Sequence, residues 1–122
     1  MQNLNSKFKT DLKQRTYQFS LSIIRLLDSL PQKRAGWVIG DQLLRSATSI
    51  GANIVEAKAS SSRLEFKKFY EISLKSSNET LYWLNLLKDS KLVAIKDLEL
   101  IIDEAEQISN MLGKSVMSLK KL

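Results

Sequence analysis

The apolar residues of this chain recur every three or four positions in four separate runs, a spacing typical of amphipathic α-helices. The first run stops before Pro31, because the residue preceding a proline is kept out of the α region. The third run follows three consecutive serines, of which Ser61 or Ser62 can cap a new helix that carries Glu65 in its first turn. The runs predict helices over residues 6–30, 35–59, about 62–88 and from 95 onward.

Four helices joined by short links predict an all-α fold, an antiparallel up-down-up-down four-helix bundle. The 122 residues fit one domain spanning 1–122, and 43% hydrophobic residues are enough for a substantial core. Four glycines and one proline are too few for a turn-rich β fold.

The second helix carries a polar stripe inside the stretch LLRSATSIGANIVEAKA. Its members fall on one side of the helix, opposite the apolar positions 43, 47, 50 and 54. Two interpretations are open: a solvated outer face, or a hydrogen-bonded seam against a neighbouring helix. Serine and asparagine favour the seam, because a solvated helix face usually carries better helix formers. The stripe consists of Arg45, Ser49, Asn53 and Glu56.

The first and third helices each carry a second apolar stripe, which a soluble monomer would leave exposed. This pattern predicts self-association through these two helices. Alternatively, the third helix is simply the most buried one of a single bundle. Glu79 lies inside the second stripe of the third helix and there needs a partner. The predicted oligomer interface comprises Tyr17, Leu21, Ile24, Ile72, Trp83 and Leu86.

Composition narrows the possible chemistry. The chain has no cysteine and no histidine, so a disulfide framework, a thiolate metal site and the commonest general base are all absent. Glu56 and Glu79 are the only plausible acid–base pair, and no cofactor-binding loop accompanies them. We therefore expect a non-enzymatic protein without metal or cofactor. The N-terminal residues lack the apolar core of a signal peptide, so we expect a cytoplasmic protein.

The chain is basic, with a net charge of +6. Residues 1–91 hold 15 basic and 8 acidic side chains, a net +7, whereas residues 92–122 hold 4 and 5, a net −1. Basic surfaces favour polyanionic partners, and phosphate contacts give salt-sensitive, sequence-independent binding. The candidate phosphate contacts are Lys7, Lys9, Lys13, Arg15, Arg25, Lys33, Arg34, Lys58, Arg63, Lys67 and Lys68.

The run RSATSIGANIVEA, followed by LEFKKFYEISLKSSNETLYWL, resembles the four-helix-bundle proteins encoded in bacterial 23S ribosomal RNA intervening sequences. The family's pattern R-[AS]-x-x-S-[IV]-x-x-N-[IV]-x-E-G is matched except that Ala57 stands where glycine is usual. A serine and a glutamate on the third helix match Ser76 or Ser77 and Glu79. The likeness covers about Gln42 to Leu87, and the matched positions of the pattern are Arg45, Ser46, Ser49, Ile50, Asn53, Ile54 and Glu56.

This resemblance implies an antiparallel four-helix bundle that assembles into a ring, with a homopentamer favoured. It also implies a relation to the accessory proteins of diversity-generating retroelements, whose basic surfaces suit nucleic acid. The resemblance favours the seam interpretation of the polar stripe, with Arg45 paired to Glu56 or Glu79. Two functions follow as hypotheses: RNA or DNA binding, and a protein-interaction scaffold for an acidic partner such as a polymerase or reverse transcriptase.

Overall fold

The computed structural model describes the backbone of residues 4–121 and the side chains of residues 12–121 apart from 95 and 97. The described chain consists of four α-helices and contains no strand, which confirms the predicted all-α class. The helices are α1 (Leu4–Asp28), α2 (Arg34–Ala59), α3 (Arg63–Asp89) and α4 (Ile95–Lys120).

The helix boundaries follow local chemistry. α1 ends two residues earlier than predicted, at Asp28, because Ser29 closes the last turn by donating from its N–H and its hydroxyl to the Leu26 carbonyl. At the start of α3 the Ser62 hydroxyl accepts from the Glu65 N–H at 3.1 Å, the predicted N-cap. Lys91, in the turn before α4, adopts a φ of 62°.

Residue pairings fix the relative directions of neighbouring helices. Between α1 and α2, Thr16 lies against Gly51, whereas Leu27 lies against Gly40. Between α2 and α3, Ser46 contacts Thr80 and residue 50 contacts Ser73. In both pairs the residue numbers rise on one helix while they fall on the other, so α2 runs opposite to α1 and to α3.

Each helix has two neighbours. Across the described residues α1 contacts α2 and α4 but not α3, and α3 contacts α2 and α4. The most extensive of these interfaces joins α2 to α3. The core between the helices is mostly apolar, and its largest fully buried apolar side chains include Phe19, Ile23, Leu43, Ile50, Ile54, Leu84, Leu98, Ile108 and Leu112. Along the described helices, none is both long enough and apolar enough to cross a membrane.

Candidate nucleic-acid interface and polar seam

An ion pair joins α2 to α3 at the protein surface. The Arg45 guanidinium contacts the Glu79 carboxylate, one of the two partners that the sequence predicts for it. The Gln42 side-chain oxygen also accepts from Arg45, at 2.9 and 3.2 Å. Trp83 donates its indole N–H to Glu79 at 2.9 Å. Because the two paired side chains are 57% and 37% exposed, solvent screens this pair.

The middle of the seam is a half-buried cluster of small polar groups. The Ser49 hydroxyl accepts from the Ser76 hydroxyl at 2.9 Å and from the Asn53 amide at 3.0 Å. The same amide lies 2.8 Å from the Ser49 carbonyl. Ser49 therefore connects one turn of its own helix to α3, so the seam interpretation describes this cluster better than a solvated face.

Glu56 lies apart from the seam. Its side chain is exposed, and within the described part of the chain it has neither a hydrogen bond nor an ion pair. On the helical wheel Glu56 falls between Arg45 and Ser49, so its position around the helix does not by itself place it in the seam. The seam thus contains Arg45, Ser49, Asn53 and Glu79 but not Glu56.

A second polar row, fully buried between α2 and α3, is absent from the sequence-based prediction. Ser73 donates to the Ile50 carbonyl at 2.8 Å, and Thr80 donates to the Ser46 hydroxyl at 2.9 Å. Ser46 in turn lies 3.2 Å from the Leu43 carbonyl of its own helix. The signal was available, because Ser73, Ser77 and Thr80 follow one another at helical spacing.

Every described buried side-chain nitrogen or oxygen has a hydrogen-bond partner. The polar groups of the buried row are therefore all hydrogen-bonded, and none of its members carries a charge. Small hydroxyl side chains also let two helices approach closely.

Arg15 is engaged within the bundle. Its Nε and Nη2 atoms donate to the two Glu104 carboxylate oxygens at 3.1 and 2.7 Å. The Gln107 side-chain oxygen accepts from Nη2 at 2.8 Å, and the Met111 sulfur lies 3.2 Å from Nη1. These bonds commit the guanidinium to α4, so we leave Arg15 out of the candidate phosphate contacts.

The other candidate cations fall into two groups at opposite ends of the bundle. Lys33 and Arg34 precede and begin α2, whereas Lys58 lies in its last turn. A 26-residue helix is about 39 Å long, so no single surface of one chain joins these groups. Lys7 and Lys9 lie outside the described side chains. The exposed candidates are Lys13, Arg25, Lys33, Arg34, Lys58, Arg63 and Lys68, and Lys67 is half-buried.

The candidate interface residues differ in exposure. Tyr17, Ile24 and Leu86 are exposed, and Tyr17 is the most open at 64%. Leu21 and Ile72 are half-buried, and the half-buried Trp83 packs against the core. Beside Tyr17 an apolar groove of about 480 Å³ runs between α1 and α2, and Thr16, Gly51, Ala52 and Val55 contribute to its lining.

At the start of α3 the Glu65 carboxylate accepts from the N–H and the hydroxyl of Ser61, at 3.0 and 3.1 Å. These hydrogen bonds hold the pKa of Glu65 below its ordinary value, and nearby Lys68 acts in the same direction. In a capping box the glutamate side chain accepts from the backbone N–H of the N-cap residue. Here Glu65 accepts instead from Ser61, one residue before the N-cap Ser62. In the core, burial raises the pKa of the Tyr70 phenol.

The sequence and the fold of this chain are similar to those of known proteins. A family model described as 23S rRNA-intervening sequence protein matches residues 9–114. A solved structure from Bacteroides thetaiotaomicron VPI-5482, of a protein with unknown function from the S23 ribosomal protein family, is 34% identical with a TM-score of 0.83. That match covers 90% of this chain and 98% of the other. No curated protein matches. The similarity therefore spans all four helices and is not confined to the seam.

Proposed function

Because the chain belongs to the 23S rRNA-intervening sequence protein family, we propose that it is a non-enzymatic, up-down-up-down antiparallel bundle that binds RNA or DNA in the cytoplasm. The observation that carries this proposal is the surplus of positive charge on exposed side chains. The net charge is +6, and the described ion pairs use only Arg15 and Arg45 among the arginines. Within the described residues the exposed cations Lys13, Arg25, Lys33, Arg34, Arg63 and Lys68 form no ion pair, so they are available to phosphates.

Phosphate contacts predict a definite salt dependence. Each neutralised phosphate releases counterions, so the logarithm of the affinity falls linearly with the logarithm of the salt concentration. The described surface offers no zinc finger and no recognition helix in a helix-turn-helix, so binding follows the shape and charge of the nucleic acid.

A titration of labelled RNA and DNA oligonucleotides at two salt concentrations tests this function. We expect binding to both polymers that weakens steeply as salt rises, read by fluorescence anisotropy. Absence of binding at low salt would contradict the proposal.

We further propose that the chain assembles into a homo-oligomeric ring, with a pentamer favoured. The second apolar stripes lie on α1 and α3, which do not contact each other in the described part of the chain, so they form two different surfaces. A contact that joins the α1 surface of one copy to the α3 surface of the next is heterologous and closes a ring where the rotation permits.

Light scattering with matched variants tests the assembly. Trp83 is a poor target, because its indole packs on the core and donates to Glu79. The double substitution Tyr17→Glu/Ile24→Glu changes two exposed residues of α1. We expect it to reduce the mass to that of a monomer. Leu100→Glu, on α4 at a side chain 81% exposed, is the control that keeps the assembled mass. A monomeric wild type would refute the ring.

A second candidate function is a scaffold for an acidic protein such as a polymerase or reverse transcriptase. It is favoured by the exposed apolar residues Tyr17, Ile24 and Leu86, together with the proposed relation to accessory proteins of diversity-generating retroelements. Binding of nucleic acid by the purified protein alone supports the first function over the second.

A further inference from the structure

The end of the bundle where α2 passes into α3 also contains the last turn of α4. Leu119 of α4 and Phe66 of α3 line one cavity of about 390 Å³, together with the three serines of the connection between α2 and α3. Ser109 of α4 also donates to Asn78 of α3, and together the two pairings set the α4 C-terminus beside the α3 N-terminus, because residue numbers rise on one helix as they fall on the other.

This arrangement gathers cations from two helices that are remote in sequence. Lys120 is the last residue of α4 and Lys121 follows it directly. Arg63, Lys67 and Lys68 occupy the first two turns of α3. All are exposed except the half-buried Lys67. Within the described chain none of the five forms an ion pair. Among the described side chains two exposed carboxylates share this end, Glu56 and Glu65, and hydrogen bonds tie that of Glu65 to Ser61.

The opposite end is close to electrically balanced. In the part of the chain that the structure describes, the exposed cations and carboxylates around these helix ends nearly cancel in number, five against four: Arg25, Lys33, Arg34, Lys91 and Lys96 against Asp28, Asp41, Asp89 and Glu99. α4 follows the same polarity, since Glu99 and Asp103 lie in its first half, whereas Lys114, Lys120 and Lys121 lie in its second. The C-terminal end of α4 is therefore basic, although the segment as a whole has a small net negative charge.

We propose that this basic end, defined by Arg63, Lys67, Lys68, Lys120 and Lys121, is the surface that binds the phosphodiester backbone of nucleic acid. The proposal rests on the nucleic-acid function proposed above and localises it. It adds two lysines of α4 to the contacts and excludes Lys33 and Arg34. The concentration of charge is the reason, because closely spaced cations displace condensed counterions from neighbouring phosphates together.

Two variants with equal changes in net charge test the location. Lys120→Glu/Lys121→Glu alters the basic end, and Lys33→Glu/Arg34→Glu alters the opposite end. Affinity for poly(U) and poly(dT) oligonucleotides of equal length is measured by anisotropy at several potassium chloride concentrations. We expect the basic-end variant to lose affinity about tenfold and its salt slope to fall by about two, one for each lost phosphate contact. The opposite-end variant should stay within about twofold of wild type.

A third variant guards against a local folding defect at the α4 terminus. Lys67→Glu/Lys68→Glu changes two residues in the second turn of α3 and leaves the α4 terminus unaltered. It should weaken binding as much as the α4 variant, while the circular dichroism spectra of all variants match wild type. Polyglutamate is included as a competitor.

Each outcome decides a separate claim. Equal losses in the two end variants would overturn the localisation while leaving the nucleic-acid function intact, because binding would then follow net charge. Competition by polyglutamate as strong as that by RNA would overturn the assignment to phosphates and favour an acidic protein. A wild type that binds neither polynucleotide would overturn both the localisation and the proposed function.

Discussion

The interface between α2 and α3 differs in chemistry from the interface between α1 and α4. The first buries a row of serine and threonine hydroxyls, whereas α4 buries Leu98, Ile108 and Leu112 toward the core. Among the described residues each interface carries one ion pair at its edge, but Arg15–Glu104 has two hydrogen bonds and is more buried than Arg45–Glu79. Hydrogen bonds are directional and burial of apolar area is not. We therefore infer that directional hydrogen bonds align α2 with α3, whereas the packing of apolar side chains holds α4 in place.

The largest effect should come from removing volume on the α4 side. Leu112 is fully buried, so Leu112→Ala should lower the free energy of unfolding by about 2–5 kcal/mol through lost burial and a residual cavity. Urea unfolding at fixed protein concentration measures it. Met117→Ala, at an exposed α4 position, is the control. A loss below about 1 kcal/mol at Leu112 would show that α4 is not held by packing.

Next in size is a change of volume within the buried hydroxyl row. Ser73→Val removes the bond to the Ile50 carbonyl and adds a branched side chain between two close helices, so we expect a loss of about 1–3 kcal/mol. Ser73→Ala removes the bond alone and should cost about 1 kcal/mol. The difference between the two thermal unfolding curves separates packing from hydrogen bonding. A stabilising valine would mean that the row tolerates apolar filling.

The two ion pairs give a direct comparison by double-mutant cycles. Alanine substitution of Arg15 and Glu104 should reveal a coupling of about 1.5 kcal/mol, because two charge-assisted bonds form in a half-buried setting. The cycle for Arg45 and Glu79 should give about 0.2–1 kcal/mol, since that pair is screened. Equal couplings would remove the distinction between the two edges.

The smallest effects concern glycines on α2 and α4. A Cβ on Gly113 would meet nothing within 4 Å, so Gly113→Ala should stabilise the protein by about 0.5–1 kcal/mol through helix propensity. A Cβ on Gly51 would lie 3.2 Å from the Thr16 hydroxyl and 3.4 Å from its Cβ, and Gly51→Ala should lower the melting temperature instead. We expect Gly113→Ala to raise the melting temperature and Gly51→Ala to lower it. An increase in both variants would show that α1 shifts readily to make room for the added methyl group.

Apolar periodicity was enough to predict four helices with ends close to those observed, because each helix buries one face. The ion pair between α2 and α3 could also be predicted from the sequence, because Arg45 and Glu79, which lies within an apolar stripe, each need a partner. The buried hydroxyl row was missed because serine and threonine can satisfy their own helix's carbonyls, so burying them leaves no unpaired group. Glu56 was wrongly included because its position on the helical wheel matches the stripe, whereas the folded chain leaves its side chain exposed and without a polar partner among the described residues.

The polarity of charge within α4 was missed for a different reason. The net charge of residues 92–122 is −1, but a net charge says nothing about where along the segment the charges lie. In the folded chain the acidic half of α4 and its lysine-bearing half are separated along the helix axis, and only packing shows which cations of other helices lie beside each half.

The hydrogen bond between the Trp83 indole and Glu79 also gives the protein an optical reporter. Excitation moves electron density in indole away from the pyrrole nitrogen, so a carboxylate beside that nitrogen lowers the energy of the excited state and shifts the emission to the red. Trp37 is exposed and contributes a solvent-like background. In a Trp37→Phe protein, the colour of the remaining emission would therefore report the state of the α2–α3 edge while the chain binds, assembles or unfolds.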